Sequence, residues 1–336
     1  SYLTIHDGIT MGTQGMKASL ISREVIADSI ELVTRANSFD GLVCIAGCDK
    51  NMPAAIMALA RLDIPSLMLY GGSIAPGALK QPDGTTKEIT ILSVFEGMGA
   101  HSAGKINDAE LEALEAAACP GPGACGGQFT ANTMAMAGEF LGISPMMITG
   151  VPAMSPEKHE ASRQAGRLVM DLARSGLTPC KMATRNAIEN ALAAVCASGG
   201  STNAVLHLIA IGHEFGIPVS MDDFDRISGH TPFICDLSPG GKYAAKDYQD
   251  AGGSRLLAKR LKERGLLHDS PTVSGKTLYE EANAAVETPG QPVIHTWESA
   301  LKPTGGLVIM KGNLAPEGCV IKVAGHERLN HTGTAR

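Results

Sequence analysis

Short apolar runs with polar boundaries mark the first part of the chain. Leu42–Ala46 and Ser66–Tyr70 are two such runs, and their length and composition are typical of buried strands. Between them, Pro53–Leu62 predicts a helix with proline in its first turn. A strand–helix–strand unit of about 30 residues indicates two parallel strands whose faces are covered. The pattern therefore predicts an α/β fold with a parallel sheet and helices on both faces.

Four further stretches predict helices, and they span residues 22–36, 128–142, 158–176 and 201–216. Ser22 is the predicted N-cap of the first of these helices. The apolar positions near one face of that helix are Val25, Ile26, Ile30 and Val33. The last two helices end at glycine, which commonly terminates helices.

The pattern changes at about residue 304. From there, short alternating runs are divided by Gly, Asn and Pro, which predicts β-strands joined by turns. We therefore place an N-terminal α/β domain at residues 1–303 and the start of a β-rich C-terminal domain at residues 304–336. Because the second segment is too short to close such a domain, we expect the chain to be part of a longer protein.

Composition excludes several classes of protein. The 336 residues are 44% hydrophobic, which is enough for a sizeable core and excludes a disordered chain. The net charge of −6 and the lack of a basic patch argue against nucleic-acid binding. Eight scattered cysteines without a secretory signal favour reduced thiols in the cytoplasm or an organelle. No apolar stretch reaches about 18 residues, so we expect no membrane span.

Four polar residues follow the first predicted strand directly: Cys48, Asp49, Lys50 and Asn51. In open α/β sheets, ligands bind beyond the carboxyl ends of the strands. A thiolate is a soft ligand for iron–sulfur clusters or zinc, whereas a carboxylate is a hard ligand suited to Mg²⁺. One loop could therefore serve two inorganic centres. A polar loop with a buried cysteine is the alternative.

A glycine-rich segment at residues 119–134, CPGPGACGGQFTANTM, carries Cys119 and Cys125 into a predicted helix. Glycine lets a backbone approach a cofactor closely, and the free N–H groups at a helix start suit an anion or cluster sulfurs. The alternative is a structural turn with incidental thiols. The two cysteines lack the C-x₂-C spacing of a zinc ribbon.

Two more segments carry candidate ligands. Asp7 precedes a glycine-rich turn and is either a metal ligand or a turn cap. Two glycines followed by Ser201, Thr202 and Asn203 precede a predicted helix, which favours an anion or substrate carboxylate site. Helix capping by Ser201 or Thr202 is the ordinary alternative. We expect His207 to be a packed helix residue rather than a ligand.

These segments resemble those of the family of dihydroxy-acid, phosphogluconate and sugar-acid dehydratases. The matching motifs are DGITMG (7–12), SREVIADSIE (22–31), GCDKNMP (47–53), YGGSIAPG (70–77), CPGPGACGGQFTANTMA (119–135), GGSTNAVLHLIAI (199–211), GLLHDSPTVSGKTL (265–278) and GNLAPEGCVIK (312–322). They follow in order over almost the whole chain. Two of them, YGGSIAPG and GPGACGG, are more similar to the branched-chain amino acid enzyme than to its sugar-acid relatives.

The resemblance implies an iron–sulfur cluster, 2Fe–2S rather than 4Fe–4S, held by three cysteines with one iron open to substrate. Cys48 and Cys125 match two of these ligands, and the third is expected upstream of Ser1. Cys119 does not match a ligand position. It follows that Cys48 and Cys125 are expected to face each other across one pocket.

The resemblance also implies a Mg²⁺ site at Asp7, Asp49 and Lys50, with Lys50 carbamylated so that it acts as a carboxylate-like ligand. In the family, a further magnesium ligand and the catalytic base come from the C-terminal domain, so the catalytic residue of this chain is unknown. Ser201, Thr202 and Asn203 are candidates for binding the substrate carboxylate.

The activity implied is dehydration of 2,3-dihydroxyisovalerate and 2,3-dihydroxy-3-methylvalerate to 2-oxo acids in valine and isoleucine synthesis. The enzyme would be a homodimeric hydro-lyase of the bacterial cytoplasm, or of the mitochondrial or plastid matrix in a eukaryote. Two alternatives remain: a sugar-acid dehydratase, and a non-catalytic paralogue that only binds a ligand or partner.

Overall fold

A computed structural model describes residues 4–81, 83–325 and 332–334. The strands are β1 Leu42–Ala46, β2 Ser66–Tyr70, β3 Gly77–Lys80, β4 Thr86–Ile89, β5 Leu307–Gly312 and β6 Ala315–Lys322. The α-helices are α1 Asp7–Thr10, α2 Ser19–Ala36, α3 Asn51–Leu62, α4 Ile91–Ser102, α5 Asp108–Ala118, α6 Thr130–Phe140, α7 Glu157–Ser175, α8 Pro179–Met182, α9 Arg185–Ala197, α10 Asn203–Glu214, α11 Met221–His230, α12 Ala245–Ala251, α13 Gly253–Glu263 and α14 Leu278–Asn283. Two 3₁₀ turns lie at Gln14–Ala18 and Trp297–Ser299.

The first two strands form the parallel pair that the sequence predicts, with the predicted bounds. They are in register from Leu42 opposite Ser66 to Ala46 opposite Tyr70, and α3 connects them. Both α3 and α7 pack against β1 and β2, and every residue of β2 is buried. The other edge of β1 is unpaired within the described residues, and Ile45 is 67% exposed.

The mixed α/β character is confirmed, but the wider parallel sheet with helices on both faces is not. Within the described residues, β3 pairs antiparallel with β4, and β5 pairs antiparallel with β6. After β2 the chain enters Gly71 and Gly72 and a short hairpin, and the segments that follow it are mainly helical. Most of the body is therefore built from helices packed on helices, with one parallel pair of strands among them.

Small residues allow this close helix packing. Every residue of α6 is buried, as is every residue of α3 except Arg61. A side chain at Gly138 would come within 2.9 Å of the Met68 methyl group on β2, so α6 lies close to the sheet. Alanine and glycine at such positions bring helix and strand backbones together without leaving voids.

The first amphipathic helix differs from the prediction at its start. α2 begins at Ser19, because the preceding 3₁₀ turn leads directly into it. Ser22 is therefore inside the helix, where its hydroxyl donates to the Ser19 carbonyl, and it is not an N-cap. Val25 is 46% exposed, so the predicted apolar face is only partly covered by this chain. The helices predicted at 158–176 and 201–216 form with ends shifted by one or two residues.

The segment after residue 304 forms strands with a turn, as predicted. β5 and β6 make an antiparallel hairpin with an irregularity between Met310 and Gly312. Leu307 at the start of β5 joins the main hydrophobic core, and β5 packs against α11. The domain boundary between residues 303 and 304 stays a prediction. In the part of the chain that is described, no helix is both long and apolar enough to cross a membrane.

A buried carboxyl group organises the loop that follows α6. Glu139 accepts hydrogen bonds from the Met147 amide at 3.0 Å and from the Ser254 hydroxyl. Met147 has a φ of +65°, a left-handed conformation that is uncommon for a residue with a side chain. Burial raises the pKa of Glu139 to about 8. The sequence carried no signal for this network, because Ser254 lies 115 positions from Glu139 along the chain.

We predict that Glu139 makes the protein less stable as the pH rises. Its pKa in the folded protein lies above the usual value of 4.5, so folding favours the protonated form. Stability is therefore lost as the pH rises through the folded pKa, from about pH 5 to about pH 8. In urea unfolding at several pH values, Glu139→Gln should show a shallower decline over this range than the unsubstituted protein.

Glu160→Gln is the matched control, because Glu160 lies on the solvent-facing side of α7. It should leave the pH dependence unchanged. An unaltered slope in Glu139→Gln would contradict the assignment of the titration to that residue.

Candidate active site

Four segments meet at the carboxyl end of β1. The start of α1 supplies Asp7, and the loop between β1 and α3 supplies Asp49 and Lys50. α6 begins at Thr130, and Ser201 lies in the loop just before α10. Side chains link these segments, since Lys50 pairs with Asp7 and Thr130 contacts Ser201. The Thr130 hydroxyl also lowers the pKa of Asp49. The sequence predicted a site at this edge of the strands.

Two carboxylates and one ammonium group form the charged centre of the site. Lys50 Nζ donates to Asp7 Oδ2 at 2.7 Å and lies 4.0 Å from Asp49 Oδ2. Lys50 is 5% exposed and Asp7 is 4% exposed, so these charges depend on each other for compensation. Asp7 also accepts a hydrogen bond of 2.7 Å from the Ser19 hydroxyl. Burial raises the pKa of Asp49, while the Lys50 charge and the Thr130 hydroxyl lower it.

The two predicted thiols are part of the same environment. Cys48 is buried and has a φ of +70°, again a left-handed conformation. The pKa of the Cys125 thiol is raised to about 12, mainly by burial and also by the charges of Asp49, Cys48 and Cys119. Burial likewise raises the pKa of Cys48. Thiols in such surroundings are poor free nucleophiles, and a bound metal is what would hold them deprotonated.

The loop that carries Cys125 is fixed to the segment after β2. The Ala124 amide donates to the Gly72 carbonyl at 2.9 Å, and the Ile74 amide donates to the Ala124 carbonyl at 2.7 Å. Gly123 has a φ of +142°, and a Cβ atom placed on it would lie 2.5 Å from the Ile74 nitrogen. Glycine is therefore required at this position, both for the backbone angle and for the close approach.

The predicted substrate-binding residues adjoin Asp49 through Thr130. Thr130 Oγ1 lies 2.9 Å from Ser201 Oγ and accepts a hydrogen bond of 3.0 Å from Asn203 Nδ2. The Ser201 hydroxyl also accepts a hydrogen bond of 3.2 Å from the backbone amide of Asn203, the first residue of α10. It therefore also satisfies a free N–H group at the start of that helix. The Thr202 side chain makes no capping hydrogen bond. The sequence analysis did not predict Thr130 as a site residue, although a hydroxyl at a helix start after a glycine-rich loop could have indicated it.

His207 is buried in α10, as the sequence indicated, but one of its nitrogens lacks a partner. Nδ1 lies 3.3 Å from Arg23 Nη1, while Nε2 has no hydrogen-bond partner among the described residues. The pKa of His207 is lowered to about 3, mainly by burial and also by the charges of Arg23 and Lys50. The imidazole is therefore neutral. Because the guanidinium can only donate, Nε2 carries the hydrogen and is an unsatisfied donor beside the charged centre.

The side chains present fit the predicted inorganic groups in part. No group of three or more His, Cys, Asp and Glu side chains in the described ranges is arranged to hold a metal ion. The charged centre has two carboxylates, with the Lys50 ammonium in contact with Asp7. If Lys50 became a carbamate and a divalent cation bound, the net charge of the centre would stay the same. The unsatisfied His207 donor is compatible with an added acceptor at this place.

Comparison with known sequences identifies the class of this fold and site. Residues 1–281 match the profile described as dihydroxy-acid/6-phosphogluconate dehydratase N-terminal, and residues 292–336 match the corresponding C-terminal profile. Together the two matches cover nearly the whole chain. The chain belongs to the dihydroxy-acid/6-phosphogluconate dehydratase family, as its motifs indicated.

Several relatives are named dihydroxy-acid dehydratase. The protein of Koribacter versatilis (strain Ellin345) is 59% identical over 335 residues, which are 99% of this chain and 58% of the relative. The protein of Roseiflexus sp. (strain RS-1) is 55% identical, with 99% and 59% covered. A protein of Thermus thermophilus is 51% identical over 334 residues, again with 99% and 59% covered. The chain thus spans less than two thirds of the length of these relatives.

We predict that Gly123→Ala destabilises the protein and loosens the loop of Cys125. The added methyl group would meet the Ile74 backbone, and the left-handed angle disfavours a side chain. Together these effects should cost about 1–3 kcal/mol in urea unfolding. Gly121→Ala is the control in the same loop, because its added Cβ would lie 3.7 Å from the Met154 side chain, an ordinary contact. Equal unfolding free energies for the two variants would be inconsistent with this account.

Proposed function

We propose that the protein removes water from 2,3-dihydroxy carboxylic acids, with 2,3-dihydroxyisovalerate and 2,3-dihydroxy-3-methylvalerate as its substrates, and so acts in valine and isoleucine synthesis. The observation that carries the proposal is the charged centre, in which Asp7 and Lys50 are buried and Asp49 is half-buried, in the same region as two thiols. Of these thiols, Cys48 is buried and Cys125 is half-buried. The names of relatives at 51–59% identity support the substrate class. The predicted homodimer and the cytoplasmic or organellar compartment belong to the same proposal.

The ligand assignment follows from the chemistry of the side chains. Carboxylate oxygens suit Mg²⁺, so Asp7, Asp49 and a carbamylated Lys50 would hold that ion. Thiolates suit an iron–sulfur cluster, so Cys48 and Cys125 would hold it together with a third cysteine outside this chain. When bound, these groups supply Lewis-acid sites, magnesium for the carboxylate and 2-hydroxyl of the substrate and the cluster for its 3-hydroxyl. We favour 2Fe–2S over 4Fe–4S from the family resemblance alone.

The chain's own residues bind and orient the substrate. The backbone amides at the start of α10, with Ser201, Thr202 and Asn203, are suited to an anionic carboxylate. The Thr130 hydroxyl contacts Ser201 of that loop and lowers the pKa of Asp49. Asp7 and Lys50 are almost fully buried, which limits the access of bulk water to the centre. Loss of the C2 proton and of the 3-hydroxyl gives an enol, which rearranges to a 2-oxo acid without net oxidation.

The base that takes the C2 proton is not among the residues described at this site. His207 is unsuited to the task because its pKa is lowered to about 3 and its Nδ1 faces a guanidinium. Lys50 is engaged with Asp7. We therefore place the base in the C-terminal domain, as the family resemblance implies.

The proposal is tested by assaying the full-length protein, purified without oxygen, against 2,3-dihydroxyisovalerate, gluconate and 6-phosphogluconate. Formation of a 2-oxo acid from dihydroxyisovalerate, with iron and sulfide bound, is the expected result. Preferential turnover of either sugar acid would favour the sugar-acid alternative. Absence of both iron and turnover would favour the non-catalytic paralogue.

We predict that Lys50→Arg loses magnesium and activity together. A guanidinium keeps the positive charge but cannot carry the carbamate, so a cation would face the incoming Mg²⁺. Magnesium affinity, measured by titration calorimetry, should fall by more than about 100-fold, since even changes behind a metal ligand cost about 10–100-fold. Lys17→Arg is the control, because Lys17 is exposed on the 3₁₀ turn. Normal activity in Lys50→Arg would refute the ligand role.

A further inference from the structure

A short chain of hydrogen bonds links β2 to the loop of Cys125. Tyr70, the last residue of β2, is 1% exposed, and its hydroxyl donates to Asn132 Oδ1 at 3.0 Å. Asn132 lies in the first turn of α6, and its Nδ2 donates to the carbonyls of Cys125 and Gly127. The bond to Gly127 is 2.6 Å. All three polar atoms of these two side chains are therefore used.

These bonds set one orientation of the Asn132 amide. Its Nδ2 offers two hydrogens, and both loop carbonyls take one. The reversed amide would place Oδ1 against those two carbonyl oxygens, which repel it. The Tyr70 hydroxyl supplies the donor that Oδ1 needs in the observed orientation. Without that hydroxyl, Oδ1 would be a buried acceptor without a partner, which costs more than an exposed one.

Tyr70 is itself held firmly at the strand end. Its carbonyl accepts a hydrogen bond of 2.6 Å from Lys158 Nζ, and the ring of Tyr70 lies 6.0 Å from the same nitrogen. Every residue of β2 is buried. Burial raises the pKa of Tyr70 well above its usual value, and the charges of Cys125, Cys48 and Asp49 also raise it, so the hydroxyl keeps its hydrogen for donation. The strand thus provides a rigid anchor for the hydrogen-bond chain.

The loop needs such an anchor because its sequence is flexible. Four glycines and two prolines lie between Cys119 and Gln128, and glycine loses the most conformational freedom when it is ordered. Backbone hydrogen bonds to Gly72 and Ile74 hold the amide and the carbonyl of Ala124. The carbonyl of the next residue, Cys125, accepts its hydrogen bond from the Asn132 side chain.

We propose that Tyr70 and Asn132 are positioning residues that hold the backbone of Cys125 so that its thiol can bind the cluster. The proposal rests on the proposed function, because it takes Cys125 as a cluster ligand. Neither side chain touches substrate in this scheme. Tyr70 acts through Asn132, and Asn132 acts through the Cys125 carbonyl.

Three variants test the proposal. Tyr70→Phe removes only the hydroxyl and keeps the buried ring. Asn132→Asp keeps the size and the acceptor but removes both donors, and it adds a negative charge beside two carbonyl oxygens. Tyr279→Phe is the control, because Tyr279 also donates its hydroxyl to a backbone carbonyl, that of Leu267 at 2.8 Å, outside the site described above. Each of the three substitutions is made in the full-length protein.

Two measurements separate positioning from general stability. Hydrogen exchange of peptides covering residues 121–128 is measured without the cluster, and the lifetime of the cluster after anaerobic reconstitution is followed by visible absorbance. In Tyr70→Phe, loop exchange should rise about fivefold, the effect of one lost hydrogen bond, and the cluster lifetime should shorten by a similar factor. Asn132→Asp should show larger changes, and Tyr279→Phe should show neither.

The outcomes distinguish this proposal from the proposed function. Unchanged exchange and unchanged cluster lifetime in Tyr70→Phe would overturn the positioning role, as would equal effects in Tyr279→Phe. If the unsubstituted protein binds no cluster but loop exchange still rises in Tyr70→Phe, the proposed function fails while the role in holding the Cys125 backbone stands. If Asn132→Asp does not fold, the result for Tyr70→Phe, which only removes a hydroxyl, still tests the positioning role.

Discussion

The ion pair between Lys50 and Asp7 is the constraint on which the rest of the site depends. Both groups are almost fully buried, and each lies in direct contact with the opposite charge of the other. Removing one partner of such a pair costs about 3–5 kcal/mol because the remaining charge is left uncompensated. The pair also ties the short helix α1, which carries Asp7, to the end of β1. Ser19 extends the link to the start of α2 through its bond to the same carboxylate.

The surrounding helices hold the backbone of this charged centre in place. α3 starts directly after Lys50 and is buried along almost its whole length, so the lysine backbone has little freedom. α6 starts directly after the glycine-rich loop and is entirely buried. Small residues on both helices allow the close contact that brings the two loops to one place.

Local pattern and family motifs account for different parts of this structure. The bounds of β1 and β2 could be predicted because apolar runs end at clear polar or proline boundaries. The extent of the sheet could not, since one strand–helix–strand unit does not reveal how many strands join it. Val25 shows the limit of periodicity, which finds an apolar face but not what covers it. Asp7 and Lys50 were grouped through the family motifs, whereas the Tyr70–Asn132 contact spans 62 positions and left no pattern in the sequence.

The edge of β1 that is unpaired among the described residues has a consequence for handling the protein. A strand edge offers a row of free N–H and C=O groups, and here an apolar side chain, Ile45, stands in solvent beside it. Such an edge recruits other strands unless another backbone covers it. Solubility and foldedness are therefore separate properties of this chain. Its buried core can be fully formed while this edge drives self-association, so precipitation would not by itself indicate misfolding.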